Sequence, residues 1–321
     1  MSRVVRVHNF GGPEELTLEE RAPLEPRDGQ VIVRNAAIGL NYVDVYNRNG
    51  LYKSPLPMTL GTDGAGTISA VGGEGTGLRP GDRVLYLSGN SYADEVAVPA
   101  GRVVKLPDEL PFDIAATLPV KATTAYYLLF ETTEVKPGDI ILVHAAAGGA
   151  GTFLVQWGSA LGATVIALAG SAEKVEIAKQ HGAAFAFNSR EEGWVAKVRE
   201  AAGRGVDVVY DGVGRATFEQ SLDCLRPRGL MVSYGNASGP VTGVNLGILS
   251  AKGSLYLTRP TGNAYTGTRE GLERAMDAVF DAIRTGKIRP TVNQRFQLAN
   301  IQEAHRALEA RETTGSSVIL P

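Results

Sequence analysis

The sequence is poor in cysteine and histidine. A single cysteine, Cys224, cannot form an internal disulfide, so a reducing compartment such as the cytoplasm is expected. A catalytic zinc ion needs about three Cys, His or carboxylate ligands that converge on one point. The four histidines are scattered along the chain without the spacing of metal ligands; they are His8, His144, His181 and His305. The sequence therefore predicts no metal site.

Long hydrophobic runs and an excess of charge of one sign are also absent. The apolar run from Ile140 to Ala147 is far too short to span a bilayer, and the N-terminal residues do not resemble a signal peptide. The 32 basic and 34 acidic residues give a net charge of −2, which argues against binding to a nucleic-acid backbone. The chain is expected to be soluble.

Two kinds of pattern divide the chain. Residues 1 to about 121 form short β-rich runs broken by Gly, Pro and Asp, which indicates a mainly antiparallel half. After Lys121 apolar strands alternate with helices, as is typical of a parallel, doubly wound sheet. The predicted strands are 139–147, 164–169, 184–187, 206–210, 230–234 and 254–258, and the predicted helices between them are 148–161, 172–180, 194–202 and 216–225. An amphipathic helix over 269–285 is expected to pack in a core, and 318–320 to return as a strand to the first half.

The strongest chemical signal lies between the first strand and first helix of the predicted parallel sheet. Ala146, Gly148 and Gly151 occupy the slots of a G-x-G-x-x-G fingerprint. Small residues are needed there because the pyrophosphate of a dinucleotide must approach the backbone, and the amides at the helix N-terminus receive its charge. The sequence therefore predicts a dinucleotide-binding site.

The end of the second strand distinguishes between cofactors. A site for NADH usually carries an acid here that binds the ribose 2′-hydroxyl. This strand instead ends in Ala169-Gly170-Ser171, with Lys174 one turn into the next helix. A hydroxyl and a positive charge suit a 2′-phosphate, so the predicted cofactor is NADPH.

The histidines and the cysteine have structural interpretations. His144 falls in the first strand of the parallel sheet and is expected to be a core residue with a hydrogen-bond partner. His181 and His305 lie in polar, helical stretches and are expected to face solvent. Cys224 lies on the apolar face of a helix and is expected to be a buried packing residue.

These motifs resemble the zinc-free quinone oxidoreductase (zeta-crystallin-like) branch of the medium-chain dehydrogenase/reductase superfamily, over essentially the whole chain. The resemblance is carried by residues 9–14, 39–46, 61–66, 210–214 and 229–260. Asn41 stands where zinc-dependent relatives carry a cysteine ligand, and Thr62-Asp63 stands where they carry His-Glu. The resemblance implies an α/β fold in which a Rossmann doubly wound parallel sheet (122–261) is inserted into a GroES-like, mainly-β catalytic domain (1–121 and 262–321). It also implies a homodimer in which the strand over 254–258 pairs with its copy.

The resemblance assigns roles to individual residues. Those implied at the nicotinamide are Asn41, Asp44 and Tyr46, with Thr124 at its ribose or phosphate. Those implied at the pyrophosphate are Gly148, Gly149 and Gly151, and those at the 2′-phosphate are Gly170, Ser171, Lys174 and Arg311. Gly212, Tyr234 and Gly235 would line the cofactor cleft. One departure concerns Asn188-Ser189-Arg190, where the family often has Asn-Tyr-Arg and the Tyr helps to hold the 2′-phosphate.

The reaction implied is hydride transfer from NADPH to a quinone without a metal, because a quinone is strongly electrophilic and its reduced oxyanion is delocalised. Asn41 and Tyr46 would polarise or position the quinone oxygen, and Tyr52 would line the pocket. The alternative is that these residues are structural: Asp44 would hold the backbone geometry, and Tyr46 and Tyr52 would be aromatic residues that pack in a loop.

Two other functions stay open. The first is reduction of an activated alkene, such as a 2-alkenal or enone, with Tyr46 or water as the proton donor. The second is NADPH binding without catalysis, including a crystallin-like or RNA-binding role. The lack of a basic stripe argues against RNA binding.

Overall fold

The computed structural model describes residues 1–321 and contains sixteen strands and eleven α-helices. The strands are β1 (Ser2–Val7), β2 (Leu16–Arg21), β3 (Gln30–Gly39), β4 (Met58–Thr59), β5 (Asp63–Val71), β6 (Arg83–Leu87), β7 (Glu95–Pro99), β8 (Val103–Lys105), β9 (Ile140–Val143), β10 (Thr164–Ala169), β11 (Phe185–Asn188), β12 (Val206–Asp211), β13 (Leu225–Ser233), β14 (Tyr256–Thr258), β15 (Val292–Gln297) and β16 (Ser316–Leu320). The helices are α1 (Tyr42–Arg48), α2 (Phe112–Ala115), α3 (Lys121–Tyr126), α4 (Gly149–Ala160), α5 (Ala172–Gln180), α6 (Trp194–Ala202), α7 (Phe218–Cys224), α8 (Gly247–Ala251), α9 (Gly262–Thr266), α10 (Arg269–Arg284) and α11 (Ile301–Glu309). A π-helical turn over Tyr127–Thr132 follows α3. No helix combines the length and the apolar character that a membrane crossing requires.

The chain forms two compact units. The first consists of Met1–Thr123, Thr266–Val279 and Pro290–Pro321, and the second of Thr124–Tyr265 and Phe280–Arg289. The domain boundaries at residues 121 and 261 stay predictions from the sequence.

The first unit is built on a seven-stranded sheet and a three-stranded sheet. The larger sheet runs β15-β16-β3-β5-β6-β8, with β7 also paired to β3, and only the β15–β16 pair is parallel. The smaller sheet, β2-β1-β4, is antiparallel. The predictions of a mainly antiparallel half and of a returning C-terminal strand are confirmed, because β16 pairs with β3 through Val318 and Ile319.

Two apolar clusters hold the first unit together. One is formed by side chains of the strands β3, β5, β6, β7 and β8 and contains Val33, Ile68, Val84 and Tyr86. The other brings β1, β16 and α11 together around Leu40. The predicted helix α10 buries Leu272, Ala275, Met276 and Val279 completely, so its apolar stripe packs in a core as expected.

The second unit contains a six-stranded parallel sheet in the order β11-β10-β9-β12-β13-β14. If its strands are counted in chain order, this is the 3-2-1-4-5-6 arrangement of dinucleotide-binding folds. The order reverses between β9 and β12, and ligands bind at the carboxyl ends of the strands at such a switch point. The sheet therefore places the turn after Val143 and the turn after Asp211 at the predicted binding edge.

Three strands of the parallel sheet differ from their predicted bounds by two residues or more, whereas β11 and β12 differ by one residue. β9 ends at Val143 because Ala145 adopts a left-handed backbone conformation with φ of 49°. β13 starts at Leu225, and left-handed Arg228 interrupts its pairing with β12 before Leu230. β14 begins only at Tyr256, since Ser254 is also left-handed.

Candidate functional site

The turn between β9 and α4 has the features of a phosphate-binding loop. Gly148 is the N-cap residue of α4 and has no side chain that could cap the helix, and the first turn contains no acidic residue. The first backbone N–H groups of a helix have no partner within the helix, and they attract an anion when no side chain caps them. Gly149 is the first residue of α4 and Gly151 follows two residues later. This loop can therefore bind a pyrophosphate.

Gly151 is required by the packing of α4 on its own loop. A Cβ atom at this position would overlap the carbonyl oxygen of Ala145 and lie 2.9 Å from the Cα of Ala146. Ala146 is itself fully buried. The close approach of helix and strand that the fingerprint predicts is therefore present.

The end of β10 carries hydroxyl and cationic side chains. Ser171 is the N-cap residue of α5, and its hydroxyl accepts a hydrogen bond of 3.3 Å from the backbone N–H of Lys174. Arg190 lies over the same strand end: its Nε atom is 3.6 Å from the position of a Cβ at Gly170. Ser189 is occupied elsewhere, since its hydroxyl donates to the carbonyl of Ala169. The structure thus adds Arg190 to the predicted residues.

The sequence carries a signal for the position of Arg190. It follows the third strand of the sheet, and in a parallel sheet the carboxyl ends of adjacent strands lie at the same edge. β11 pairs with β10 through Asn188 and Ala169. A cation two residues after that pair is therefore expected beside the end of β10.

The ends of β12 and β13 are packed closely together. A Cβ at Gly235 would overlap the carbonyl oxygen of Gly212, and a Cβ at Gly212 would lie 3.0 Å from the ring of Tyr234. Asp211 fixes the turn after β12, because its Oδ1 accepts hydrogen bonds of 2.7 and 3.0 Å from the N–H groups of Val213 and Gly214. Close packing therefore fixes Gly212, Tyr234 and Gly235 at the carboxyl edge of the sheet.

His144 and Thr124 complete the predicted residues of the second unit. His144 is buried, and its Nε2 lies 2.9 Å from the hydroxyl of Ser221, which donates to Asp211. The prediction of a core histidine with a hydrogen-bond partner is confirmed, although His144 directly follows β9 instead of lying in it. Thr124 lies half-buried on α3.

In the first unit Asp44, a residue of α1, is completely buried and accepts hydrogen bonds from three protein groups. Its carboxylate accepts hydrogen bonds of 3.1 Å from the N–H of Asn41, 2.7 Å from the hydroxyl of Thr62 and 3.0 Å from the hydroxyl of Tyr92. Burial raises the pKa of Asp44 to about 7, although these hydrogen bonds lower it. These contacts fit the structural alternative, in which Asp44 fixes the start of α1 and the loop of Thr62.

Asn41 and Asp63 are joined directly. The Nδ2 of Asn41 donates a hydrogen bond of 2.7 Å to Oδ1 of Asp63, and the N–H of Val120 donates one of 2.9 Å to Oδ2. Asn41 is buried, and its side-chain oxygen faces the backbone N–H of Asp44 in a capping box at the start of α1 without forming a hydrogen bond of normal geometry. An unpaired buried acceptor is costly, and a ligand that donates a hydrogen bond would satisfy it. This atom fits the predicted position of Asn41 beside a nicotinamide.

Tyr46 and Tyr52 lie against each other. Their ring centroids are 5.3 Å apart with the rings edge to face, and the backbone N–H of Tyr52 donates to the carbonyl of Tyr46. Tyr46 is buried, whereas Tyr52 is 41 % exposed. Arg311 lies exposed after α11 in a left-handed conformation with φ of 62°.

The expectation that His305 faces solvent is wrong. His305 is fully buried on α11, where it contacts Arg48 and Tyr92. Arg48 is also buried and forms a bidentate ion pair with Glu309. The polar sequence around His305 belongs to the outer face of α11, and its partners are distant in sequence, so the local pattern gave no signal. His181 is half-buried at the end of α5.

No group of three or more His, Cys, Asp or Glu side chains is placed so that it could hold a metal ion. The positions at which zinc-dependent relatives carry ligands are occupied by Asn41, Thr62 and Asp63, and these side chains are engaged in hydrogen bonds with protein groups.

Comparison with known proteins agrees with this geometry. Residues 27–108 match the family model described as the alcohol dehydrogenase GroES-like domain, and residues 149–281 match the model described as zinc-binding dehydrogenase. Together with the sheet order, these matches confirm the predicted fold class of a GroES-like domain and a parallel Rossmann sheet.

Full-length relatives are similar over the entire chain. A quinone oxidoreductase of Pseudomonas aeruginosa is 49 % identical and a 2-haloacrylate reductase of a Burkholderia species is 39 % identical, covering 100 % and 98 % of both chains. The crystal structure of an Escherichia coli quinone oxidoreductase complexed with NADPH is 46 % identical, covers 100 % of both chains and superimposes with a TM-score of 0.97. The chain belongs to the quinone oxidoreductase family of the medium-chain dehydrogenases/reductases.

Proposed function

We propose that this protein is an NADPH-dependent quinone reductase that works by direct hydride transfer. The observation that carries the proposal is the uncapped N-terminus of α4 at the switch point of the parallel sheet, with Gly151 packed against Ala145. The relative whose structure contains NADPH has the same fold along its whole length. When bound, NADPH supplies a hydride from its nicotinamide ring.

The second unit binds the phosphate groups of the cofactor. Gly148, Gly149 and Gly151 present backbone amides to the pyrophosphate. Ser171, Lys174 and Arg190 bind the 2′-phosphate beside Gly170, and Arg190 takes the role that a tyrosine has in many relatives. Thr124, Gly212, Tyr234 and Gly235 line the cofactor site. Arg311 is assigned to the 2′-phosphate from the family resemblance alone.

The first unit positions the reacting groups. Asn41 and Tyr46 lie at the nicotinamide, and Tyr52 lines the quinone pocket. Asp44 does not touch a ligand in this assignment; it holds Asn41 and the start of α1 through three hydrogen bonds. A quinone needs little electrophilic assistance because the negative charge that develops is spread over its ring, so hydrogen-bonding side chains suffice.

Reduction of an activated alkene is the second candidate, because a 2-haloacrylate reductase is among the full-length relatives. The same hydride would add to an electron-poor double bond, and Tyr46 or water would supply the proton. RNA binding is disfavoured by the net charge of −2.

Titration with NADPH and NADH, followed by turnover of a benzoquinone and a 2-alkenal under identical conditions, tests the proposal. We expect tighter binding of NADPH and faster turnover of the quinone. Equal affinity for both cofactors would remove the roles given to Lys174 and Arg190. Turnover of the alkenal about tenfold above that of the quinone would favour the second candidate.

We also propose that the protein is a cytoplasmic homodimer. β14 is the edge strand of the parallel sheet, and it exposes 62 % of Tyr256 and 37 % of Leu257. Such an edge favours pairing with another strand. The one cysteine, Cys224, is buried and free, which suits a reducing compartment.

A further inference from the structure

A cavity in the first unit is lined by two arginines and by no acidic residue. It has a volume of about 440 Å³, and residues of all three strands of the small sheet β2-β1-β4 contribute to its lining. Arg6 comes from β1 and Arg21 from β2, and Thr59 and Asn90 are the other polar residues of the lining. A cavity with two cations and further hydrogen-bonding groups is complementary to an anion.

The register of the small sheet brings the two arginines to one face. Arg6 lies directly opposite Thr59 of β4, and Ser2, four residues before Arg6 on β1, lies directly opposite Arg21 of β2. Residues an even number of positions apart on a strand share a face, and so do residues directly opposite each other on neighbouring strands. Arg6, Arg21 and Thr59 therefore point to the same side of the sheet.

The two guanidinium groups are only partly satisfied by the protein. The Nε atoms of Arg6 and Arg21 are buried and have no hydrogen-bond partner. Arg21 donates from Nη2 to the backbone carbonyl of Glu95, and Nε of Arg6 lies 3.5 Å from Oε2 of Glu19, an ion pair without a hydrogen bond. Each guanidinium carries five N–H donors, so these contacts occupy a small part of them.

The two acidic residues that contact the arginines are committed to other groups. Oε1 of Glu19 lies 2.6 Å from Nε2 of His8. Glu95 contacts Arg21 through its backbone, while its carboxylate accepts a hydrogen bond of 2.8 Å from the N–H of Leu24. Neither acid lines the cavity. The cavity therefore has a positively charged lining without a carboxylate of its own.

We propose that this cavity binds a small phosphate ester, with the phosphate at the guanidinium groups of Arg6 and Arg21 and the carbon part against Leu24, Pro57 and Met58. A phosphate accepts the forked hydrogen bonds that a guanidinium donates, and its double negative charge matches the two arginines. The volume falls in the range of small-molecule sites, about 300–1,000 Å³, which leaves room for an ester group beside the phosphate. The site shares no residue with the proposed cofactor site.

Calorimetric titration with n-butyl phosphate tests the site. The titration is made on the full chain with and without saturating NADP⁺, because bound NADP⁺ fills the phosphate positions proposed for the cofactor. We expect one molecule of n-butyl phosphate per chain in both cases, with a Kd of ~1 mM or below. Inorganic phosphate should bind about tenfold more weakly, since it lacks the apolar part that the ester buries.

The variants test the charge of the lining. Arg6→Gln and Arg21→Gln should each weaken binding of n-butyl phosphate by about tenfold, as expected for a lost charge-assisted hydrogen bond. Asn90→Asp should also weaken it, because the isosteric side chain adds a negative charge, and aspartate tolerates the left-handed backbone at this position, with φ of 70°. Arg79→Gln is the matched control, since Arg79 is 84 % exposed and lies outside the cavity, and it should leave the affinity unchanged.

Four results would overturn the proposal. They are no binding by the wild type at ~10 mM ester, unchanged affinity in Arg6→Gln, an equal loss in Arg79→Gln, and loss of the ester when NADP⁺ is added, which would place it in the cofactor site. If Arg21→Gln does not fold, Arg6→Gln and Asn90→Asp decide, because the side chain of Arg6 is 38 % exposed and Asn90 is exposed. Failure of the protein to bind NADP⁺ would overturn the proposed function alone, since the titration without NADP⁺ still tests this cavity.

Discussion

Arg48 donates a hydrogen bond of 2.9 Å to Nδ1 of His305 and thereby fixes the tautomer of a fully buried histidine. Because a guanidinium group only donates, Nδ1 must accept, and the proton of the neutral ring lies on Nε2. Nε2 is 3.1 Å from the hydroxyl of Tyr92, which donates in turn to Asp44. The chain of hydrogen bonds ends at an arginine that does not release its proton, so it orients Asp44 and does not conduct protons to it.

The buried His305 should make the protein sensitive to acid. Burial and the charge of Arg48 lower the pKa of His305 to about 3, whereas an unfolded histidine titrates near ~6.5. The neutral His305 therefore contributes its full stabilisation above the pKa of the unfolded histidine, and this stabilisation is lost as the pH falls toward 3. Asp44 acts in the opposite direction, because its raised pKa gives stability at low pH that is lost as the pH rises toward 7.

Comparison of the wild type with His305→Gln isolates the histidine, because Asp44 contributes to both proteins. Urea unfolding at several pH values should show the wild type losing up to about 1.4 kcal/mol per pH unit more than the variant as the pH falls below 6. Parallel stability profiles for the two proteins would contradict the assignment.

Tyr92→Phe should destabilise the first unit. The hydroxyl of Tyr92 lies between Asp44 and His305 and is completely buried, so its removal leaves two buried groups with one partner fewer. We expect a loss of about 1–3 kcal/mol in the free energy of unfolding. Tyr256→Phe serves as the control, since Tyr256 is largely exposed, and should change the stability by less than about 0.5 kcal/mol. Equal losses would mean that the hydroxyl of Tyr92 is not an essential link.

The choice between cofactors should depend on Lys174 and Arg190. Alanine at either position should weaken NADPH binding by about tenfold, as expected for a lost charge-assisted hydrogen bond to phosphate, while the affinity for NADH should change little. Lys179→Ala is the matched control on the same helix, because Lys179 pairs with Glu176 in the last turn. Dissociation constants from nicotinamide fluorescence provide the measurement. Equal weakening of both cofactors would refute a 2′-phosphate role.

The parallel sheet was the part of the fold most accessible from the sequence. Its helices α5 and α6 and its strand β10 have the predicted bounds, because their apolar periodicity is strong and their ends carry clear capping or breaking residues. The deviations occur where non-glycine residues adopt left-handed conformations, at Ala145, Arg228 and Ser254. Such conformations are imposed by packing and are not visible in local sequence.

The site was predictable only where a motif is contiguous. The glycine loop, Ser171 and Lys174 follow directly from the sequence. The hydrogen bonds of Tyr92 with Asp44 and with His305 join residues 48 and 213 positions apart along the chain. The burial of Lys121 likewise depends on the folded chain around it. Long-range polar contacts of this kind need the folded backbone before they can be recognised.

Gly151→Ala should impair binding of NADPH and NADH alike. The added methyl group would overlap the carbonyl oxygen of Ala145, so α4 must shift away from the loop that presents its amides. We expect both dissociation constants to rise by at least about tenfold, because the pyrophosphate is common to both cofactors. Gly89→Ala is the control, since a Cβ there would meet nothing within 4 Å. Unchanged affinities in Gly151→Ala would contradict the phosphate-loop assignment.

Charge on β14 should separate the proposed dimer. Leu257→Glu places a negative side chain on the edge strand, where two copies would bring like charges together. Sedimentation should show a dimer for the wild type and a monomer for the variant at the same concentration, with the fold retained by circular dichroism. Phe185→Glu is a control at the opposite edge strand, β11, where Phe185 is 41 % exposed. A monomeric wild type would refute the dimer.

The position of β16 has a consequence for how the chain folds during synthesis. β16 lies between β15 and β3 in the larger sheet, so β3 lacks one of its neighbours until residues 316–320 have been made. All six strands of the parallel sheet are made before that point. The parallel sheet with its glycine loop can therefore fold on the ribosome before the larger sheet is complete. In chains truncated before β16, the parallel sheet should resist proteolysis and the larger sheet should be cleaved.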